Sequence, residues 1–202
     1  MGVFSRTHVN GQEGEGIGTA ARLHERVDES FGPIWRAQEN RDVELLRPYV
    51  SQAYLDRSAH SFDALDQAAQ MHRIEDDELR DVAVARPADD TFDGSAQVYL
   101  LFSVRHSTID LRTGEMVSGD AAPRAWTACW TFVLEPRSGW VVDRLAAVWR
   151  ARDKRKPAPG KWPGLPTGWY SRRDEPWEWE YWDGSAWTRA GQDQGQDQAL
   201  VT

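Results

Sequence analysis

Apolar residues recur at a helical period from the first third of the chain onward. Leu23, Val27, Phe31 and Ile34/Trp35 step by three or four, with charges between them, which predicts an amphipathic helix. Pro33 lies inside that run, so the expectation is a break or kink near Gly32. Asp42 is placed to cap a short second segment carrying Val43, Leu46 and Val50, which Pro48 interrupts. Ser51 is placed to cap a third, whose apolar positions Tyr54, Leu55, Phe62, Leu65, Ala69 and His72 keep helical spacing.

After Arg73 the period changes to two. Leu79, Val82 and Val84 predict a strand ending at Pro87, followed by an acidic turn from Ala88 to Gly94. Ala96 to Leu111 is the strongest strand pattern: Val98, Leu100, Phe102 and Val104 alternate with Tyr99, Leu101, Ser103 and Arg105. Its length predicts a bend or bulge. Arg112-Thr113-Gly114-Glu115 reads as a turn. Ala125 to Leu134 then gives a strand with Trp126, Trp130 and Phe132 on one face. Pro136-Arg137-Ser138-Gly139 turns the chain into a last strand from Trp140 to Val148. Helices followed by antiparallel strands predict an α+β fold, with N-terminal helices packed on a curved, cone-like four-stranded sheet that has an apolar mouth.

These elements carry a resemblance. Trp35, the segment Asn40-Arg41-Asp42-Val43-Glu44-Leu45-Leu46-Arg47-Pro48-Tyr49, Arg112-Thr113-Gly114-Glu115, Trp130-Thr131-Phe132-Val133 and Ser138-Gly139-Trp140-Val141-Val142 occur in a telling order and spacing. From about Ala20 to Val148 the chain is similar to bacterial relatives of the membrane-peripheral tether subunit of the mitochondrial protein-import motor, in the nuclear-transport-factor-like cone superfamily. The resemblance implies scaffolding at a membrane surface rather than chemistry.

The remaining chain has a different texture. Arg150 to Pro166 is basic and proline-rich, and reads either as a semi-rigid solvated spacer or as a polybasic segment drawn to anionic lipid. Residues 167–189 hold Gly168-Trp169-Tyr170 and Tyr181-Trp182-Asp183-Gly184-Ser185-Ala186-Trp187-Thr188. Asp183-Gly184 between strand-prone runs predicts a tight type I′ hairpin, to which Trp169-Tyr170 adds a third strand or over which it packs. This segment resembles a small Trp-rich domain of unknown function common in actinobacterial proteins, although Ser171-Arg172-Arg173 stands where an Asp-Pro is usual. The Arg-rich, Lys-poor composition of the first 150 residues fits an actinobacterial origin. The organisation expected is therefore an arm (1–18), a cone-type domain (19–149), the linker (150–166), a Trp-rich β module (167–189) and a disordered tail (190–202).

Charge and composition narrow the function. The first 150 residues hold 16 arginines against 24 Asp and Glu, so the whole net charge of −8 falls there. An acidic domain is not a nucleic-acid surface, which needs clustered cations. Cys129 is the only cysteine, and His24, His60 and His72 show no metal-ligand spacing, so no metal site and no cofactor are expected. The N-terminal residues lack an apolar stretch, and Arg6 breaks the myristoylation pattern, which points to a cytoplasmic protein compatible with peripheral membrane contact.

The function expected is non-catalytic binding or tethering of a protein or peptide partner near the membrane or cell envelope. The binding residues expected are Tyr99, His106, Trp126 and Trp130 at the cone and Trp169, Tyr170, Trp182 and Trp187 in the Trp module. The Trp169-to-Trp187 span is similar to the two-Trp layout of WW modules, and the chain's own Pro157-to-Pro166 stretch is one occupant for such a groove. The bland reading, in which every ring belongs to a mini-core, stands beside it. A homodimer would use the outer sheet face through Tyr99, Leu101 and Val133. The alternative function is an isomerase- or cyclase-type enzyme with His106 as base, paired with Asp143 or Arg144.

Overall fold

The computed structural model describes residues 12–87, 92–151 and 161–189. Residues 1–11, 88–91, 152–160 and 190–202 fall outside it, and with them most of the expected arm, part of the acidic turn, the heart of the basic linker and the tail. Among the described residues three helices precede eight strands: α1 (Gln12–Asn40), α2 (Val43–Leu46), α3 (Gln52–Gln67), β1 (Gln70–Ala85), β2 (Ser95–Asp110), β3 (Met116–Gly119), β4 (Arg124–Glu135), β5 (Gly139–Arg150), β6 (Gly168–Arg172), β7 (Glu175–Trp182) and β8 (Trp187–Arg189). The strands form one antiparallel sheet in the order β5-β4-β2-β1-β6-β7-β8, with β3 on β2.

Contrary to the sequence expectation, α1 runs through Pro33 without a break. Proline deletes one backbone hydrogen bond. Phe31, two residues before it, and Ile34, directly after it, are buried in the core, and this outweighs the lost bond. The helix ends instead at Arg41, in the left-handed region at φ 56°, where the Asp42 amide donates to the Ala37 carbonyl at 3.0 Å. The two caps expected from sequence both form. Asp42 Oδ1 accepts from the Leu45 amide at 3.0 Å, and Ser51 Oγ from the Tyr54 amide at 3.1 Å.

The helical spacing read through Ala69 and His72 stops earlier. The chain leaves α3 at Gln67 and reverses through Ala69 (φ 53°), and His72 belongs to β1. Pairing of Gln70–Glu75 with the far half of β2 overrides the local helical pattern. The strand β1 is thus much longer than Leu79–Val84 alone suggests. Bulges between Glu75 and Glu78 and between Leu79 and Asp81 bend it, which curls the sheet around the helices. A further strand, β3, was not anticipated, because Met116–Gly119 has no apolar alternation and is held only by β2.

Two cores result, one on each face of the sheet. Toward the helices, Leu23, Val27, Phe31 and Ile34 of α1 meet Val98, Leu100, Phe102 and Val104 of β2, with Trp130 and Phe132 of β4. On the other face Tyr99, Leu101 and Ala83 are covered by Trp162, Leu165, Tyr170 and Trp182. The C-terminal strands therefore extend the main sheet: Ala83, Val84 and Ala85 of β1 pair with Arg172, Ser171 and Tyr170 of β6. This corrects the expectation of an open outer face for dimerisation, since Tyr99 and Leu101 are already buried by the chain itself.

The Asp183-Gly184 turn is also wider than expected. Trp182 pairs with Trp187, leaving a four-residue loop in which only Gly184 has positive φ, at 97°. Asp183 Oδ1 accepts from the Ser185 and Ala186 amides at 2.6 and 2.7 Å. The Asp183 amide also donates to the Ala186 carbonyl at 3.2 Å, so Asp183 closes the loop through both its backbone and its side chain.

Candidate functional site

The interior of the cone is filled. Phe31 stacks on Trp130 with ring centroids 6.0 Å apart and meets Phe102 edge-on at 5.6 Å, while Trp35 lies 5.6 Å from Phe102. Trp130 is 1% exposed, so its role is packing. Trp126, opposite Phe102 on β4, stays half-open at the rim.

That rim collects polar groups. Asp120, buried, accepts from Arg124 Nε at 2.5 Å and from the Arg150 guanidinium, and Arg150 lies over the Trp126 ring at 4.8 Å. The Asp120 amide donates to the His106 carbonyl at 2.9 Å. The His106 ring sits 4.9 Å from that of His72. Burial lowers the pKa of both imidazoles, and for His106 the neighbouring His72 lowers it further. Among the described residues the His106 ring forms no hydrogen bond to a carboxylate. Asp143, expected as its partner, is instead bonded by Ser51 Oγ at 2.6 Å, and Arg144 lines a different cavity. A bulge in β5 causes this: Thr131 pairs with Arg144 and Phe132 with Val142, so Asp143 is the extra residue turned toward α3. Among the described residues the buried indole nitrogens of Trp35 and Trp126 have no hydrogen-bond partner.

The aromatic residues of the C-terminal strands divide by face. Tyr170 and Trp182 are buried in the second core. Tyr170 meets Tyr99 edge-on at 5.8 Å, and Trp187 packs on Trp182 at 4.9 Å and on Trp162 at 6.5 Å. Burial pushes the Tyr99 phenol up to about 12 and raises that of Tyr170 as well. Trp162, 2% exposed, donates from Nε1 to Asp81 Oδ2 at 3.1 Å. Arg172 bridges Asp81 and Glu180 at 3.3 Å each and lies 5.0 Å over Trp187. Burial raises the Asp81 pKa, against the pull of Arg172. The linker's Trp162 and Leu165 thus occupy the aromatic groove that the sequence offered to a proline-rich occupant.

The opposite face of the same strands is covered by α1 only in part. Trp177 is 63% and Tyr181 37% exposed, and Trp169 packs edge-on against Tyr181 at 5.2 Å. Between them Trp179 is half-buried beside α1, with Arg86 5.6 Å over its ring. Trp177 is not among the binding residues expected from sequence. Alternation puts it with Trp179 and Tyr181, but only the docking of β6 on β1 decides which face of β7 meets solvent.

Among the described residues, two cavities open on the flanks. One, of about 230 Å³, lies between α1, α3 and β5, lined by Gln38, Tyr54, Arg57, Ser58, Ser61, Arg144 and Leu145. There Gln38 Nε2 donates to Tyr54 Oη at 3.2 Å, Arg57 lies 5.8 Å over the Tyr54 ring and donates to the Asp143 carbonyl, and burial pushes the Tyr54 phenol up to about 12. The other, of about 430 Å³, runs between α1 and the β4–β5 turn, with Phe92, Leu134 and Trp140 as its apolar wall. Among the described residues no cluster of three or more His, Cys, Asp or Glu is placed to hold a metal, and no helix is long and apolar enough to cross a membrane.

The Tim44-like domain model matches residues 19–148, most of the chain and nearly the span of the resemblance read from sequence. The chain belongs to the Tim44-like domain family. Among solved structures, the intermembrane space region of chloroplast protein ARC6 is similar at 17% identity and a TM-score of 0.46, over 63% of this chain and 95% of that one. No curated protein matches the chain. The family match covers α1 through most of β5, so the C-terminal strands lie beyond the Tim44-like part even though they share its sheet.

Proposed function

We propose that this Tim44-like protein is a non-catalytic tether that binds a protein partner at the cytoplasmic periphery of a membrane, and that the open aromatic face of β6 and β7 is its docking surface. The observation that carries the reading is the exposure of Trp177 beside Tyr181 and Trp169. Solvent-facing tryptophan and tyrosine on rigid strands are the residue types in which interface energy concentrates. The strands beneath them are held by the buried Trp162–Asp81–Arg172 network, so the rings present a fixed surface. Membership of the Tim44-like family supports a tethering role over chemistry.

The test is a photo-crosslinker placed at position 177 in cells, with the same group at exposed Val117 as control. A discrete crosslinked protein at 177 only, lost when Tyr181→Ser is added, is the expected result. Trp177→Ser itself should change stability by no more than about 0.5 kcal/mol, as an exposed substitution does. Equal crosslinking at both positions, or full partner recovery by a Trp177→Ser/Tyr181→Ser double variant, would remove the docking role.

A further inference from the structure

Many arginines of this acidic protein are paired with carboxylates, whereas the cavity between α1, α3 and β5 gathers two arginines and no carboxylate. Arg26, Arg41, Arg47, Arg80, Arg105 and Arg172 all sit in ion pairs with carboxylates. Arg57 and Arg144, which line the cavity, form no ion pair among the described residues. Asp143, their obvious neutralising neighbour, has its carboxylate turned to Ser51 Oγ. No carboxylate lines the cavity. Its other polar walls are the Ser58 and Ser61 hydroxyls, the Gln38 amide and the Tyr54 phenol, whose pKa burial raises further above neutrality. Arg57 is fixed by its bond to the Asp143 carbonyl and its position over Tyr54, so it needs little ordering to receive a ligand.

We propose that this cavity is a binding site for a small phosphate monoester. Two uncompensated guanidinium groups match a ligand carrying about −1.5 to −2 charges at neutral pH better than a single carboxylate. The planar guanidinium fork suits phosphate oxygens, and hydroxyl and amide groups complete their hydrogen bonding. Leu145 and the Tyr54 ring supply an apolar wall for an organic stem. The volume of about 230 Å³ is below that of sites for drug-sized ligands, which run roughly 300–1,000 Å³, and suits a phosphoryl group with a short substituent. The site is separate from the aromatic face of β6 and β7, so it stands or falls independently of the tethering role.

The experiment is calorimetric titration of the full chain with phenyl phosphate, and in a second arm with vesicles of phosphatidylcholine carrying phosphatidate. Saturable binding of phenyl phosphate, weakened about tenfold or more by Arg57→Gln and by Arg144→Gln and unchanged by Arg112→Gln at the β2–β3 turn, is the expected result. Because Arg57 also ties α3 to β5, the Arg144→Gln variant carries the conclusion if Arg57→Gln lowers the melting temperature. Binding confined to phosphatidate vesicles, and lost with Arg144→Gln, would keep the phosphoryl chemistry and assign its source to a lipid headgroup. No saturable binding in either arm, or equal binding by Arg144→Gln and the parent chain, overturns the proposal.

Discussion

At the scale of single residues, a few side chains hold both cores. Trp130 fills the space between helices and sheet, so Trp130→Ala should cost about 3–5 kcal/mol through lost transfer energy and the cavity left behind. Urea unfolding followed by circular dichroism would read this directly. His24 offers a sharper test. Its Nε2 sits 3.1 Å from the Ser171 carbonyl and ties α1 to β6, while burial lowers its pKa from 6.5 to about 4, with the Ser171 bond and Asp28 opposing the shift. The folded state therefore resists protonation that the unfolded chain accepts. Stability is full above the unfolded pKa and falls as pH drops from about 6.5 to about 4, at up to about 1.4 kcal/mol per pH unit. Denaturant midpoints at pH 7 and pH 5 should differ accordingly, and His24→Gln should narrow the gap. Burial lowers His72 and His106 in the same direction, so some slope persists in the variant.

At the scale of elements, junctions matter more than interiors. The strand β3 is held on β2 by a close approach at Gly119, where φ is 111° and an added Cβ would lie 2.4 Å from the His106 carbonyl oxygen. Gly119→Ala should thus cost roughly 1–3 kcal/mol in strain and displace the Asp120 anchor beneath Arg124 and Arg150. A thermal melt indistinguishable from the parent would show that β3 shifts freely. Caps, helix faces and the β2 alternation were legible because each is a local contract between neighbouring residues. The continuity of α1 through Pro33 and the early end of α3 at Gln67 were not, because partners distant in sequence settled both, and the Asp183 loop was misjudged because the Asp183 side chain bonds the amides two and three residues on.

At the scale of the whole molecule, the C-terminal strands do more than follow the Tim44-like part. They cover Tyr99 and Leu101 and pair with the edge of β1, which otherwise presents unsatisfied backbone groups. Truncation after Ala151 should therefore lower the melting temperature and drive self-association, seen as a larger mass by light scattering. A truncated chain that stays monomeric with unchanged stability would show that the covering is dispensable.

The sequence by itself determined the α+β class, the helix caps, the helix-facing alternation of β2 and the family, because these rest on periodicity and on motif order within the chain. It also marked Trp169, Tyr170, Trp182 and Trp187 as one aromatic unit. It could not say which of those rings close a core and which face outward, nor that Trp162 fills their groove, nor that Asp143 turns away from His106. Those outcomes depend on strand register and on bulges, where a slip of one residue exchanges the two faces of a sheet. Only the pairing of β6 with β1 left Trp177 facing solvent, and only the fold gathered Arg57 and Arg144 around one cavity.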